Sequence, residues 1–242
     1  GMRGKLIVFE GGEGSGKTTQ IKRLHDWLAQ SEVLKVLQAS ERVAGIKLTR
    51  EPGGTALGQQ IRHLLLSERS PTQAPIVSKS ELLLYAADRA QHVEETLIPW
   101  LEQGYWVLCD RYTDSTVAYQ GYGRQLDLSL IDTLNRIATD NLKSDLTFWL
   151  SIPPAVGLAR MHQRGQADRI EQASRAFHQS VSDGFAALAR PTDGLRHPYS
   201  SGPTEEIDGD RPVEAVAAHI QQIIQQKVAQ WYPHSQQRPS QP

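Results

Sequence analysis

The chain has 242 residues, 39% of them hydrophobic and 22% charged, ordinary proportions for a globular protein with one sizeable core. Its 26 basic and 27 acidic residues leave a formal charge of −1, which gives no field to draw it to nucleic acid or to an anionic membrane. A single cysteine, Cys109, excludes an internal disulfide and fits a reducing compartment.

No apolar run reaches bilayer length and no signal-peptide pattern precedes the first strand, so the cytoplasm is the expected location. Gly1 ahead of Met2 reads as a remnant of tag cleavage and is set aside. The first element is the apolar run Leu6-Ile7-Val8-Phe9, short and β-branched as buried parallel strands are. It leads into Gly11-Gly12-Glu13-Gly14-Ser15-Gly16-Lys17-Thr18, which satisfies G-x-x-x-x-G-K-[ST] at every specified position. Ile21, Leu24 and Leu28 then mark a helix over Thr19 to Ala29. Strand, loop and helix together form the setting in which this motif binds polyphosphate. Glycines let many backbone N–H groups approach one anion at a helix N-terminus. Lys17 can reach the β- and γ-phosphates of a nucleoside triphosphate, and Thr18 can offer its hydroxyl to Mg²⁺.

Residues 31–45 are polar and irregular, either an extra turn of helix or an edge hairpin. Ile46 to Thr49 is a second strand, and Pro52-Gly53-Gly54 turns the chain so that Arg50 and Glu51 project at the sheet's carboxyl edge. Leu57, Ile61, Leu64 and Leu65 mark a helix that fades into a polar loop, Ser67 to Pro75. From Ser78 a long helix is expected to bury Leu82, Leu83, Ala86, Val93 and Leu97, to kink or break locally at Pro99 and to stop at Gly104. Tyr85, Asp88, Arg89 and His92 share one of its faces, and His92 is expected to be solvated there.

Trp106 to Cys109 is the third strand. Four apolar residues followed by Asp110 match the pattern in which a carboxylate helps position Mg²⁺ at phosphates. Asp114 to Gly121 is polar and small, suited to a pocket wall, and an amphipathic helix covers Leu126 to Leu142. Leu146 to Ile152 is a fourth strand, closed by Pro153-Pro154. Ala155 to Ala189 is helical except at 164–169, where a glycine between arginines marks a mobile flap. A loop to Pro203, a weak strand Glu206 to Asp208 and a helix on Val213, Val216, Ile220, Ile223 and Ile224 follow. Residues 233–242 lack an apolar anchor and are expected to be a disordered tail.

Five apolar runs separated by long connections predict an α/β fold. We expect a P-loop NTPase-type five-stranded parallel sheet with helices on both faces and a small helical lid at about 160–171. Residues 2–232 form one domain in this reading. In such sheets ligands lie beyond the carboxyl ends of the strands.

A phosphate loop specifies a nucleoside triphosphate rather than a reaction. No N-K-x-D string is present to read guanine, and the basic tracks of a nucleic-acid motor are missing. A small kinase remains, in which catalysis is positioning and charge neutralisation. Arg50, Arg89, Arg111, Arg164 and Arg169 are spread as a phosphorylated acceptor requires.

The stretches FEGGEGSGKTTQ, TREPGGT, LLLYAADRAQHV, VLCDRYTDSTVAYQGYGR and RGQADRIEQ, in this order, resemble the thymidylate kinases. The resemblance implies transfer of a phosphoryl group from ATP-Mg²⁺ to dTMP, in a homodimer. It places Glu13 at the acceptor's sugar 3′-hydroxyl, Arg50 and Arg111 at the dTMP phosphate, and Tyr85 stacked on thymine. Arg89 and Thr116 would contact the base, and Tyr119 would crowd C2′ against ribose. One branch of the family has arginine at loop position 14. Gly14 aligns this chain with the branch whose lid supplies the catalytic arginine, Arg164 or Arg169, alongside Lys17 and Arg111. Residues 31–45 are longer than the family usually shows. A deoxynucleoside kinase and a nucleotide-binding regulator without turnover are the alternatives.

Overall fold

Five strands hydrogen-bond in parallel in the order β2-β3-β1-β4-β5 in a computed structural model, which describes residues 2–233. They are β1 (Leu6–Glu10), β2 (Gly45–Arg50), β3 (Tyr105–Asp110), β4 (Leu146–Ser151) and β5 (Thr204–Asp208). β1 is central and every one of its residues is buried. A parallel strand covered on both faces has no solvated side on which to place polar residues, hence the unbroken apolar run.

Side chains alternate across the pleat, and β1 feeds two cores. Ile7 and Phe9 join a cluster with Leu24, Leu37, Leu108, Phe148 and Ile224. Leu6 and Val8 point the other way, onto Val93, Leu97, Leu101 and Tyr112. Each of these large side chains is fully buried and contributes roughly 1.5–3 kcal/mol relative to exposure.

The helices are α1 (Lys17–Gln30), α2 (Glu32–Ala39), α3 (Ala56–Leu66), α4 (Ser78–His92), α5 (Ile98–Glu102), α6 (Thr113–Thr116), α7 (Leu128–Thr139), α8 (Pro154–His162), α9 (Arg175–Ala189) and α10 (Val213–Trp231). The undecided stretch 31–45 is mostly helix: α2 seats Leu34 and Leu37 in the first cluster, then the chain bends into β2. The long helix runs from α4 into α5 through a π-helical turn, Val93–Leu97. Pro99 has no N–H to give to a helical ladder, and the α-helical pattern gives way to the wider turn just before it, which is the local break expected there.

Two expectations about this helix need correcting. Leu83 is 51% exposed rather than part of the buried stripe, and His92 is completely buried rather than solvated. On α3, Leu57 and Leu64 are likewise about half exposed, while Ile61 and Leu65 are buried. The pocket-wall stretch is helical, α6 continuing into a π-helical segment, Val117–Gly123.

The lid stretch begins in the last turn of α8 and continues as turns up to α9. Gly165 there has φ +124, and the Asp168 carboxylate takes the Glu171 N–H at 2.8 Å, a local bond that competes with helix. The tail from 234 onward lies outside the described residues. Among the described residues no helix is long and apolar enough to cross a membrane.

Register decides what meets at the sheet's edge. Phe9 and Arg50 both pair with Asp110, so β2 and β3 end level and β1 runs one residue further. Arg50 and Asp110 therefore emerge side by side at the end where α1 begins, with the buried Glu10 one residue further along β1.

Candidate active site

Between Glu10 and Lys17 the chain makes a loop that only glycine accommodates at key points. Gly14 and Gly16 have φ of +71 and +91. A Cβ on Gly14 would also lie 2.1 Å from the carbonyl oxygen of Gly157 in α8, and one on Gly157 would lie 2.1 Å from that of Glu13. Loop and helix thus touch backbone to backbone. Lys17 starts α1, with Nζ 3.4 Å from the Gly11 carbonyl, and is only 8% exposed. Burial and the nearby Arg111 lower its pKa, while Asp110 and Glu13 act in the opposite sense. Thr18 is exposed in the same first turn.

The loop residues Glu13 to Thr18 line one cleft together with Arg50, Tyr85, Arg89, Asp110, Arg111, Thr116, Tyr119 and Arg164. Gly11 and Gly12 lie at the base of the loop. The Gly11 carbonyl accepts hydrogen bonds from Lys17 and Arg111, and Gly12 borders a small cavity beside His178.

Arg111 follows β3 in the left-handed region, φ +71. This conformation turns its guanidinium back over the loop. Nη1 donates to the Gly11 carbonyl at 2.8 Å and to Ser115 Oγ at 3.1 Å. Nη2 reaches Glu13 Oε1 at 3.3 Å and Tyr119 Oη at 3.1 Å, and Tyr119 donates to the same Glu13 oxygen at 2.8 Å. Burial works against the Arg111 charge, but Tyr119, Glu13 and Asp110 raise its pKa overall. Burial also works against the Glu13 charge, and Arg111 and Lys17 outweigh it, so Glu13 is held as a carboxylate.

Glu10 supports this turn from below. Its Oε1 accepts from the Tyr112 N–H at 3.1 Å and from Ser115 Oγ at 2.8 Å. Burial, then Asp114, push its carboxyl up to about 8.

Arg89 is 2% exposed and spends four hydrogen bonds inside the protein. It donates to Glu51 Oε1 (2.7 Å), Thr116 Oγ1 (2.9 Å), Asn135 Oδ1 (2.7 Å) and the Tyr112 carbonyl (2.9 Å). A guanidinium has five N–H groups, which leaves one for a ligand in the cleft. Glu51 is fixed in turn by His92, whose Nδ1 is 2.7 Å from Oε2 while Nε2 is 2.7 Å from Thr49 Oγ1. His92 thus belongs to the support of Arg89. Helical spacing put it on the right face but does not distinguish a solvated face from a buried polar one.

The two arginines of the lid part company. Arg164 is exposed and lines the cleft. Arg169 is not in the cleft lining: its Nη2 pairs with Glu81, and its Nε donates to the Leu65 carbonyl at 2.6 Å.

Ser115 and Gln120, from the stretch read as a pocket wall, also line the cleft, and so does Arg62, which sequence reasoning missed. Arg62 donates to the Pro52 carbonyl at 3.0 Å, and burial and Arg50 lower its pKa. Its signal was present, since α3 starts at the glycine turn on the carboxyl edge and Arg62 is its only arginine or lysine. Mg²⁺ is held by one or two protein oxygens plus substrate phosphates. Thr18 and Asp110, at the same end of the cleft, fit that donor set. No group of three or more potential His, Cys, Asp or Glu metal ligands occurs among the described residues.

Residues 9–208 match the family model described as thymidylate kinase. Over 239 residues the chain is 52% identical to the thymidylate kinase of Cyanothece sp. (strain PCC 7425 / ATCC 29141), covering 96% of this chain and 98% of that one. It is 48% identical over 202 residues to the thymidylate kinase of Carboxydothermus hydrogenoformans, covering 81% and 92%. The crystal structure of thymidylate kinase from Ehrlichia chaffeensis matches at a TM-score of 0.66 and 30% identity, over 92% of this chain and 99% of that one. With a family model spanning most of its length and relatives of one name at about half identity, the chain belongs to the thymidylate kinase family of enzymes.

Proposed function

We propose that the enzyme transfers the γ-phosphoryl group of ATP to dTMP, giving ADP and dTDP. The observation that carries this reading is the gathering of Arg50, Arg62 and Arg111 beside Lys17 in one cleft. Of the three arginines only Arg111 has a carboxylate partner, Glu13, among the described residues. The cleft also carries Glu13, Glu51, Asp110, Asp168 and Glu171, yet Arg50 and Arg62 are left without a carboxylate partner among the described residues, as cations that serve a phosphorylated acceptor beside the donor would be.

An acceptor phosphate oxygen attacks the γ-phosphorus in line, and the bond to the β,γ-bridging oxygen breaks, its electron pair leaving with ADP. No side chain acts as nucleophile. Lys17 and Arg164 neutralise charge on the transferring group, and Arg50, Arg62 and Arg111 orient the acceptor. Mg²⁺, when held by Thr18 and Asp110, supplies further neutralisation at the donor phosphates. Glu13 takes the sugar 3′-hydroxyl, Tyr119 stands against C2′, Tyr85 stacks on the base, and Arg89 and Thr116 read its edge.

Residues 2–232 act as a single domain in this reading, and the lone buried thiol is in keeping with a cytoplasmic protein. The half-exposed Leu57, Leu64 and Leu83, with Leu130 and Ile137 of α7, lie on three helices of which α4 packs against the other two. That apolar surface supports a homodimer. A monomer by sedimentation at micromolar concentration would overturn the dimer.

The reaction is tested by ADP release across a panel of nucleoside monophosphates and thymidine. dTMP should be the best acceptor. Faster turnover of thymidine would make the enzyme a deoxynucleoside kinase, and no ADP release with any acceptor would make it a nucleotide-binding regulator.

A further inference from the structure

Glu81 stands outside the cleft, in the first turn of α4, and is 1% exposed. A buried carboxylate needs partners, and these come from two distant parts of the chain. Oε1 accepts from Gln120 Nε2 at 2.9 Å and from Arg124 Nε at 3.0 Å. Oε2 accepts from Arg124 Nη2 at 3.2 Å and from Nη2 of Arg169 in the lid. Burial alone would raise the Glu81 pKa, but hydrogen bonds from Arg124, Arg169 and Gln120 hold it below the ordinary value, so the group is a carboxylate.

Each partner leads to the cleft. Gln120 lines it directly. The Arg124 guanidinium lies 4.3 Å over the ring of Phe177, which packs against Tyr119. Arg169 ties the lid to the end of α3: its side chain meets the Leu65 carbonyl, and its own N–H meets the Leu66 carbonyl at 3.0 Å. Those terminal carbonyls lack helical partners and favour a cation. With Arg169 seated, Ile170 and Glu171 on one side and Arg164 on the other line the cleft.

We propose that Glu81 is a positioning residue for phosphoryl transfer: one buried carboxylate seats the lid through Arg169 and orients the acceptor wall through Gln120 and Arg124. Arg169 is then the anchor of the lid, and Arg164 is the arginine it presents. The inference rests on the kinase reading above. It adds that the lid and the acceptor wall are set by the same group, so that loosening either one disturbs the other.

The test compares Glu81→Gln, Arg169→Lys, Arg169→Gln and the double variant Glu81→Gln/Arg169→Gln with wild type. Steady-state ADP release is followed with dTMP and ATP, together with Tm and amide exchange of residues 163–172 with dTMP and a non-hydrolysable ATP analogue bound. Glu81→Gln keeps the shape and one acceptor oxygen but loses the charge that binds two arginines. It should lower kcat by about 10- to 100-fold, as loss of lid gating does, with faster exchange in 163–172 and a smaller change in KM for ATP. Arg169→Lys should recover part of the kcat lost in Arg169→Gln. The double variant should be no slower than the worse single one, because both remove the same contact.

Unchanged kcat in a folded Glu81→Gln, or effects that multiply in the double variant, would overturn the proposal. A fall in Tm with kcat and lid exchange unmoved would reduce Glu81 to a structural ion pair and also overturn it. If Glu81→Gln does not fold, the partly exposed Arg169 carries the test, and wild-type kcat in Arg169→Gln overturns it. Wild-type enzyme that does not turn over dTMP defeats the kinase reading instead, and this control separates the two failures.

Discussion

At the scale of single residues, the site is made of charges whose neighbours the sequence does not reveal. Lys17 illustrates this. Its motif specifies an ammonium at the phosphates, but its burial beside Arg111 is a tertiary fact. In the protein without ligand the charge is disfavoured, so Lys17→Met should leave Tm unchanged or raise it, while turnover falls at least 100-fold, about 3 kcal/mol of lost charge stabilisation. Thermal melts and ADP release measure both, and near-normal turnover would remove the loop from the reaction. Tyr119 combines two roles, a wall of the cleft and a hydrogen bond to Glu13. Tyr119→Ala should lower turnover of dTMP yet raise the kcat/KM ratio of UMP to dTMP about 10-fold, the scale on which a steric wall rejects one hydroxyl. An unchanged ratio would place the tyrosine away from C2′. Asp88 shows what spacing cannot tell. Burial, then Glu51, push its carboxyl up to about 6, and its Oδ2 is buried without a hydrogen-bond partner among the described residues. A folded pKa above the unfolded value means that folding takes up a proton, so the contribution to stability falls as pH rises from about 4 to 6, by at most about 3 kcal/mol. The difference in Tm between wild type and Asp88→Asn should decline across that window and then level off. A constant difference would show that Asp88 does not titrate there.

At the scale of elements, legibility follows the type of signal. Strands buried on both faces announce themselves as apolar runs, and all five were readable, including the short β5. Helical periodicity located α3 and α4 but not which apolar residues remain outside, because the exposed Leu57 and Leu64 stand four and three residues from the buried Ile61, and the exposed Leu83 directly follows the buried Leu82. The π-helical turns were invisible, since one extra residue in a turn leaves no compositional mark. The lid was legible as a break containing glycine and arginines, but the division of labour between Arg164 and Arg169 was not. Glu81, the partner that decides it, is 88 residues away from Arg169 in the chain. Arg164→Met should therefore lower kcat by roughly 10³-fold, the effect of losing an arginine at a transferring phosphoryl group, with KM for dTMP nearly unchanged. Single-turnover kinetics at saturating substrates measures this, and wild-type rates would move the charge elsewhere.

At the scale of the whole molecule, the level ends of β2 and β3, with β1 one residue longer, bring Arg50, Asp110 and Glu10 to one edge, which the alternation of strands and helices already implied. What that alternation did not reveal is how the loop at the edge is joined to the lid. Gly14 and Gly157 touch through their backbones, and α8 runs from there to within two residues of Arg164. The contact makes α8 a crank, with its pivot at the phosphate loop and the arginine at its far end. From pivot to arginine is seven residues, the first five of them roughly 8 Å of travel along the helix. One alanine inserted after Leu158 leaves the pivot in place and turns everything beyond it by about 100°. Such a variant should hold ATP with an affinity near wild type, measured by equilibrium binding, and lose turnover as fully as Arg164→Met. Full turnover would mean that the arginine finds the cleft without the crank.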